Sequence, residues 1–161
     1  LKAAGAVAFS DDGTGVEDDA VMLEALVRAR DLDAVLIQHC EYRELSAGGV
    51  MHKGEVSRRL GLPGLDPRSE EAMIERDIAL CRRTRGRYHV AHISTAKAVE
   101  LVRRAKEQGK EVVAGIQMFL EQAAQQFQIW TGEQAPRPVM EKAAREALST
   151  HAESLASTYN K

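Results

Sequence analysis

Long apolar runs are missing from this sequence of 161 residues: nowhere do 18 apolar residues follow one another, so no segment reads as a membrane span. No positively charged stretch leads into an apolar signal core. Cysteine is rare, with two residues, Cys40 and Cys81, which excludes a disulfide framework and makes a reducing cytoplasm the expected compartment. Basic excess is absent as well. The 22 Lys and Arg stand against 24 Asp and Glu, a net charge of −2, so there is no electrostatic footprint for nucleic acid. No period of 20–50 residues suggests a repeat array and no tract is of low complexity. Proline and aromatics are few, and two of the three Phe and the single Trp fall after residue 115.

What is present is an alternation of short apolar runs with helical patterns. Ala6–Phe9, Ala34–Ile37, Tyr88–Ile93 and Glu111–Gly115 are each strand-sized. Between them, residues Glu17–Arg30 place Val21, Met22, Ala25, Leu26 and Ala29 on one helical stripe. Ser69–Arg83 does so with Met73, Ile74, Ile78 and Cys81, and Ser94–Gln108 with Ala98, Leu101, Val102 and Ala105. Strand and helix in strict succession predict βαβ units and a parallel sheet. The connection from Glu41 to Pro67 is long for a compact domain, carries a short helical pattern at Glu55–Leu60, and follows the end of a strand, where α/β ligand sites form. After Gly115 the pattern changes to two helices, Ile116–Thr131 and a second from Pro136 or Pro138 through Ala156, so the chain divides into residues 1–115 and 116–161.

Three predicted strands end in side chains that can bind a metal: Ser10-Asp11-Asp12-Gly13, Gln38-His39-Cys40-Glu41 and Ala91-His92-Ile93-Ser94. Side chains alternate along a strand. Counting back by twos, Asp12 shares a face with Ser10, Ala8 and Ala6, His39 with Ile37 and Val35, and His92 with Val90 and Tyr88. If the three strands are neighbours, one carboxylate and two imidazoles meet at one sheet edge. That is a normal ligand set for zinc or another divalent ion with an open position. The alternative is that each is a hydrogen-bonded loop residue and that Asp-Asp-Gly is a turn. His52 in the long connection, His89 on the opposite face from His92, and His151 near a polar helix end read as structural or solvated.

The same stretches carry a resemblance. AGAVAFSDDGTGVEDDAVMLEAL, VLIQHCEYRELSAGGVMHKGEVSRRLGLPGLDPRSEEAMIERDIAL and YHVAHISTAKAVELVRRAKEQGKEV resemble the central third of type I bacterial dihydroorotases, from Leu1 to about Gly115. Those are (β/α)8 barrels of the amidohydrolase superfamily that interconvert carbamoyl-aspartate and dihydroorotate in pyrimidine synthesis. The resemblance implies that Asp12 bridges two metals and that His39 and His92 complete the second metal site. It also implies a His-x-His pair and a substrate-binding Arg upstream, and a catalytic Asp downstream. No His-x-His occurs in these 161 residues, and a barrel of this type needs about 250 residues. The opening LKAAGAVAF reads like the middle of a longer chain.

A second resemblance begins after Gly115. GIQMFLEQAAQQFQIWTGEQAPRPVMEKAAREAL resembles the C-terminal helices of shikimate dehydrogenases, through Met118, Gln122, Ala123, Ala124, Phe127, Trp130, Thr131, Gly132, Pro136 or Pro138, and Met140. That resemblance implies a shikimate contact for Gln122. No G-x-G-x-x-G/A follows any strand, so NADP is not expected and Gln122 reads as a relic on an exposed or interfacial helix face.

Together these readings predict an α/β chimera: a partial (β/α)8 barrel of about four parallel strands with crossover helices, followed by two C-terminal helices. A parallel sheet needs both faces covered. The face bearing Ala8, Val35, Ile37 and Val90 is therefore expected to lie under the tail helices, a second copy of the chain, or a swapped domain. Three functions fit: an amidohydrolase completed by another chain, a domain holding one zinc ion on Asp12, His39 and His92 without turnover, and a metal-free structural or oligomerisation module. No residue is assigned a catalytic role.

Overall fold

The computed structural model describes residues 1–11, 13–110 and 112–159, the last nine of them by backbone alone. The chain forms two compact units, Leu1–Lys110 and Glu111–Lys161.

In the first unit, β1 (Ala8–Ser10), β2 (Val35–Gln38) and β5 (Arg87–Val90) make a parallel sheet in the order β1-β2-β5. A second, two-stranded parallel sheet, β3 (Met51–His52) with β4 (Gly64–Leu65), folds the long connection on itself together with α2 (Arg43–Ser46) and α3 (Glu55–Leu60). The larger helices are α1 (Asp19–Asp31), α4 (Arg68–Thr84) and α5 (Ala96–Glu107). Local chemistry sets their ends. The Asp18 carboxylate accepts the Ala20 and Val21 N–H groups at 2.9 Å, and the Thr95 hydroxyl accepts that of Ala98 at 3.0 Å, satisfying N–H groups that have no partner inside the helix. Arg85 closes α4 in a left-handed turn at φ 57°.

Two apolar clusters join helices to sheet. Met22, Leu26 and Leu80 pack with Leu36 and Tyr88, and Cys40, Met73, Ile74, Ala98 and Leu101 pack with Tyr88, Val90 and Ile93. The stripes expected on α1 and α5 are the buried ones, at Met22, Leu26 and Ala29 and at Ala98 and Leu101. On α4 the buried face turns slightly, taking in Asp77 and Leu80 beside Met73 and Ile74.

Two expectations are corrected. Among the described residues the main sheet has three strands rather than four, Glu111 of the expected fourth lying outside them. Residues 112–114 are irregular and Gly115 already begins α6, because among the described residues β5 has only β2 as a neighbour and the Val112-Val113 run has no ladder to join. Val90 also lies on the other face of the sheet from the one expected. The register pairs Ala8 with Val35, Val35 with Arg87, Ile37 with His89 and Gln38 with Val90. Paired residues share a face, so Ala8, Val35 and Ile37 stand with Arg87 and His89, while Val90 lies with Leu36, Gln38 and Tyr88 against the helices.

The second unit consists of α6 (Gly115–Thr131) and α7 (Arg137–Tyr159). Gly132, at φ 76°, ends α6 where a side chain would strain the turn, and Arg137 pairs with Glu121 across the two helices. Ala124 is buried, Phe127 half-buried, and Gln122 and Trp130 are exposed. No helix among the described residues is long and apolar enough to cross a membrane.

Candidate metal centre

The site grows from the C-terminal ends of the three parallel strands. After β1, the Asp11 carboxylate turns inward: Oδ1 accepts the His39 N–H at 2.8 Å and Oδ2 accepts the Val16 N–H at 3.1 Å. One side chain thus pins the turn after β1 to the residue after β2. The turn approaches closely at Gly15, where a Cβ would stand 2.6 Å from the His39 carbonyl oxygen, so glycine is required by contact alone. Asp12, the carboxylate expected to bind metal, lies outside the described residues.

After β2, the His39 ring is held from both sides. Its Nε2 stands 3.1 Å from Glu41 Oε2 and its Nδ1 stands 2.9 Å from His92 Nε2, with the two rings edge to face at 4.7 Å between centroids. A hydrogen bond from Ser46, and after it the facing His39, hold the Glu41 carboxyl below the usual carboxylate range against its partial burial. His92 is exposed and His39 half-buried. Alternation alone would send these rings to opposite faces, since Ile37 and Val90 are on opposite faces. The backbone at His92 resolves this. After Ala91 donates its N–H to Gln38 O at 3.2 Å, His92 takes a left-handed conformation at φ 34°, and the chain swings the imidazole back toward β2.

Beneath these loops lies a buried polar chain that sequence reasoning missed. Asp77 is fully buried and binds Arg76 Nη2 through Oδ1 at 2.7 Å. Its Oδ2 accepts the Tyr88 hydroxyl at 2.7 Å, and that hydroxyl is 3.1 Å from Cys40 Sγ. Arg76 also donates to Val16 O and Glu17 O at 2.6 Å each and stacks over the Tyr42 ring at 5.5 Å. Burial pushes the Asp77 carboxyl up against the lowering pull of Tyr88 and Arg76. Burial likewise pushes the Cys40 thiol up to about 12, and the side chain packs in the core beside Met73 and Ile74. The available signal was the position of Asp77, four residues after Met73 and three before Leu80, inside an apolar stripe.

Of the expected ligands, His39 and His92 converge. Among the described residues no group of three or more His, Cys, Asp and Glu is placed to hold a metal ion. The imidazole pair is hydrogen-bonded, Nδ1 of His39 to Nε2 of His92 at 2.9 Å, somewhat closer than the roughly 3.3 Å between two nitrogens on a tetrahedral ion; an ion would take the place of the proton the two rings share, with the Glu41 carboxylate on the far side of His39 fixing that ring. His52 and His89 are exposed and apart from this pair; the side chain of His151 lies outside the described residues.

Comparison with known proteins gives two matches on this chain. Residues 1–98 match the family described as dihydro-orotase-like, and residues 115–145 match the shikimate 5'-dehydrogenase C-terminal domain. The dihydroorotase of Pelotomaculum thermopropionicum is 52% identical over 116 residues, covering 72% of this chain and 27% of its own length. That of Syntrophus aciditrophicus is 46% identical over 114 residues, covering 71% and 27%. Among solved structures, D-hydantoinase from Bacillus sp. AR9 aligns with a TM-score of 0.45 at 23% identity, over 64% of this chain and 23% of that one. The chain therefore spans about a quarter of the length of the curated relatives it matches.

Proposed function

The chain belongs to the dihydro-orotase-like family through residues 1–98, and from that premise we propose that it carries one half of a dihydroorotase-type metal centre, in which Asp12, His39 and His92 hold a single divalent ion, zinc first among the candidates. The observation that carries this reading is the 2.9 Å approach of His39 Nδ1 and His92 Nε2 at the ends of adjacent parallel strands. When bound, such an ion polarises a carbonyl oxygen and lowers the pKa of bound water, the chemistry that opens a cyclic amide.

The chain's own residues supply the setting. Glu41 accepts a hydrogen bond from the Nε2–H of His39, which makes Nδ1 the acceptor that faces His92. Asp11 fixes the His39 backbone by accepting its N–H at 2.8 Å. No His-x-His, the pair the family resemblance implies for the other half of the centre, occurs in these 161 residues, and on this reading they hold one ion and close carbamoyl-aspartate only when another chain completes the barrel. On this reading the chain is a chimera, which the match of residues 115–145 to a shikimate dehydrogenase C-terminal domain supports, and Gln122, exposed on α6, is a relic of that family.

Metal content after exhaustive dialysis tests the proposal. One zinc per chain is expected in the wild type, lost in His39→Ala, in His92→Ala and in Asp12→Ala. A wild type free of metal, or a His39→Ala variant that keeps it, overturns the proposal in favour of a metal-free structural module. Turnover of carbamoyl-aspartate by the zinc-loaded polypeptide would overturn the absence of catalysis.

A further inference from the structure

His92 sits in a conformation that a residue with a side chain holds only when its surroundings impose it, and it does so on a short loop between β5 and α5. The loop's main chain is gripped from one direction. The Glu70 carboxylate, in the first turn of α4, receives the Ser94 N–H at 3.0 Å on both oxygens, the Ser94 hydroxyl at 2.6 Å on Oε2, and the Thr95 N–H at 3.1 Å on Oε1. Thr95 is then committed to capping α5 through its hydroxyl. Two residues upstream of Ser94 is His92. With Ala91 tied to Gln38 on one side and Ser94–Thr95 tied to Glu70 on the other, the left-handed turn at His92 is bracketed, and from it the ring reaches His39.

We propose that Glu70 is the positioning residue of the imidazole pair: it touches neither ring, and by clamping Ser94 and Thr95 it sets the backbone that brings His92 Nε2 to His39 Nδ1. This rests on the metal reading above only for its consequence, which is the affinity for the ion; the placement of the ring is a property of the metal-free chain. The charge matters as well as the shape. An ionised carboxylate offers two acceptor oxygens to donors that converge on it, whereas a glutamine amide offers one oxygen and a donor that meets them head-on.

The test compares Glu70→Gln with Glu71→Gln, which makes the same charge change one position along α4, in the full chain. The first readout needs no metal: the nuclear Overhauser effect between ring protons of His39 and His92, expected in the wild type from the 4.7 Å ring separation. The second is the dissociation constant for Co2+, read from its visible absorption. Glu70→Gln is expected to lose the ring-to-ring signal and to weaken Co2+ binding at least tenfold with unchanged far-ultraviolet dichroism, while Glu71→Gln changes neither. A Glu70→Gln chain that keeps the ring-to-ring signal at wild-type strength overturns the inference, as does a wild type that never shows it. Loss of the signal in Glu70→Gln together with a wild type that ignores Co2+ supports the positioning role and overturns the metal reading alone. If Glu70→Gln does not fold, Glu70→Asp, which keeps the charge but draws the carboxylate one methylene back from all three donors, carries the test with the same expected loss of signal.

Discussion

Replacing Asp77 by alanine is the sharpest test of how the first unit holds its loops in place. The side chain is fully buried and takes three donor groups, Arg76 Nε at 2.9 Å, Arg76 Nη2 at 2.7 Å and the Tyr88 hydroxyl at 2.7 Å. Removing one partner of a buried ion pair leaves the other charge uncompensated and costs about 3–5 kcal/mol. Here the lower part of that range applies, because the guanidinium keeps Val16 O and Glu17 O at 2.6 Å as neutral acceptors. The Tyr88 hydroxyl falls back on the thiol of Cys40, a weak partner, which adds about 1 kcal/mol. A loss of about 4 kcal/mol follows, a large part of the 5–15 kcal/mol typical of a whole domain, with a melting temperature lower by roughly 15 °C.

The assay has to report on the right unit. Trp130 belongs to α6, so its fluorescence follows the helical unit; the first unit is better followed by urea-dependent exposure of the buried Cys40 thiol. A double change, Arg76→Met with Asp77→Leu, removes both charges and fills the space. It is expected to recover at least half of the loss, because apolar replacements avoid the cost of desolvating either charge. A single-variant loss below about 1 kcal/mol, or a double variant as unstable as the sum of the two singles, would refute the account of Asp77 as a buried counter-ion.

Two further outcomes follow from the loops. Gly15→Ala places a Cβ 2.6 Å from the His39 carbonyl oxygen and 3.1 Å from Met73 Cε, so the turn must move away from β2. A stability loss of about 2 kcal/mol is expected in urea titration, with a shift in the His39 ring resonances; an unshifted His39 would refute the contact. Thr95→Ala leaves the buried Ala98 N–H without its acceptor and is expected to cost about 1 kcal/mol, read as faster amide exchange through the first turn of α5 while α1 exchanges as before.

The positions of the site were legible where chemistry and period coincide. A histidine directly after an apolar run, at His39 and again at His92, needs only the rule that α/β sites gather beyond strand ends. The short helix at Glu55–Leu60 showed itself by pattern, since its apolar residues are set off by glycines on either side. Face assignment was not legible, because a parity count needs the register between strands, and register is fixed by how β2 and β5 pair rather than by either alone. Parity also assumes uniform strand geometry, which His92 abandons at φ 34°. Asp77 escaped notice for a different reason: a charge inside an apolar stripe is informative only once its partners, one and eleven residues away, are known to be in reach.

Those partners explain why α4 is the element on which the site depends. Its first turn reaches the segments that follow His39 and His92, and its middle reaches the turn after β1. Ser69 O accepts the Tyr42 N–H at 3.1 Å, three residues beyond His39. Glu70 holds Ser94 and Thr95, just beyond His92. Arg76, braced by Asp77, holds the carbonyls of Val16 and Glu17, in the turn that follows Asp12. The segments that follow His39 and His92 are thus each tied by hydrogen bonds to the same helix. A site built this way tolerates exchange of surface residues on α1 or α5, yet a rotation of α4 by one residue would release all three loops together. Loss of ring-to-ring proximity between His39 and His92 should therefore accompany Asp77→Ala under conditions where the chain remains folded, although Asp77 touches neither ring. If the pair persists unchanged while Asp77→Ala lowers stability as expected, the loops are positioned independently and α4 is only a packing element.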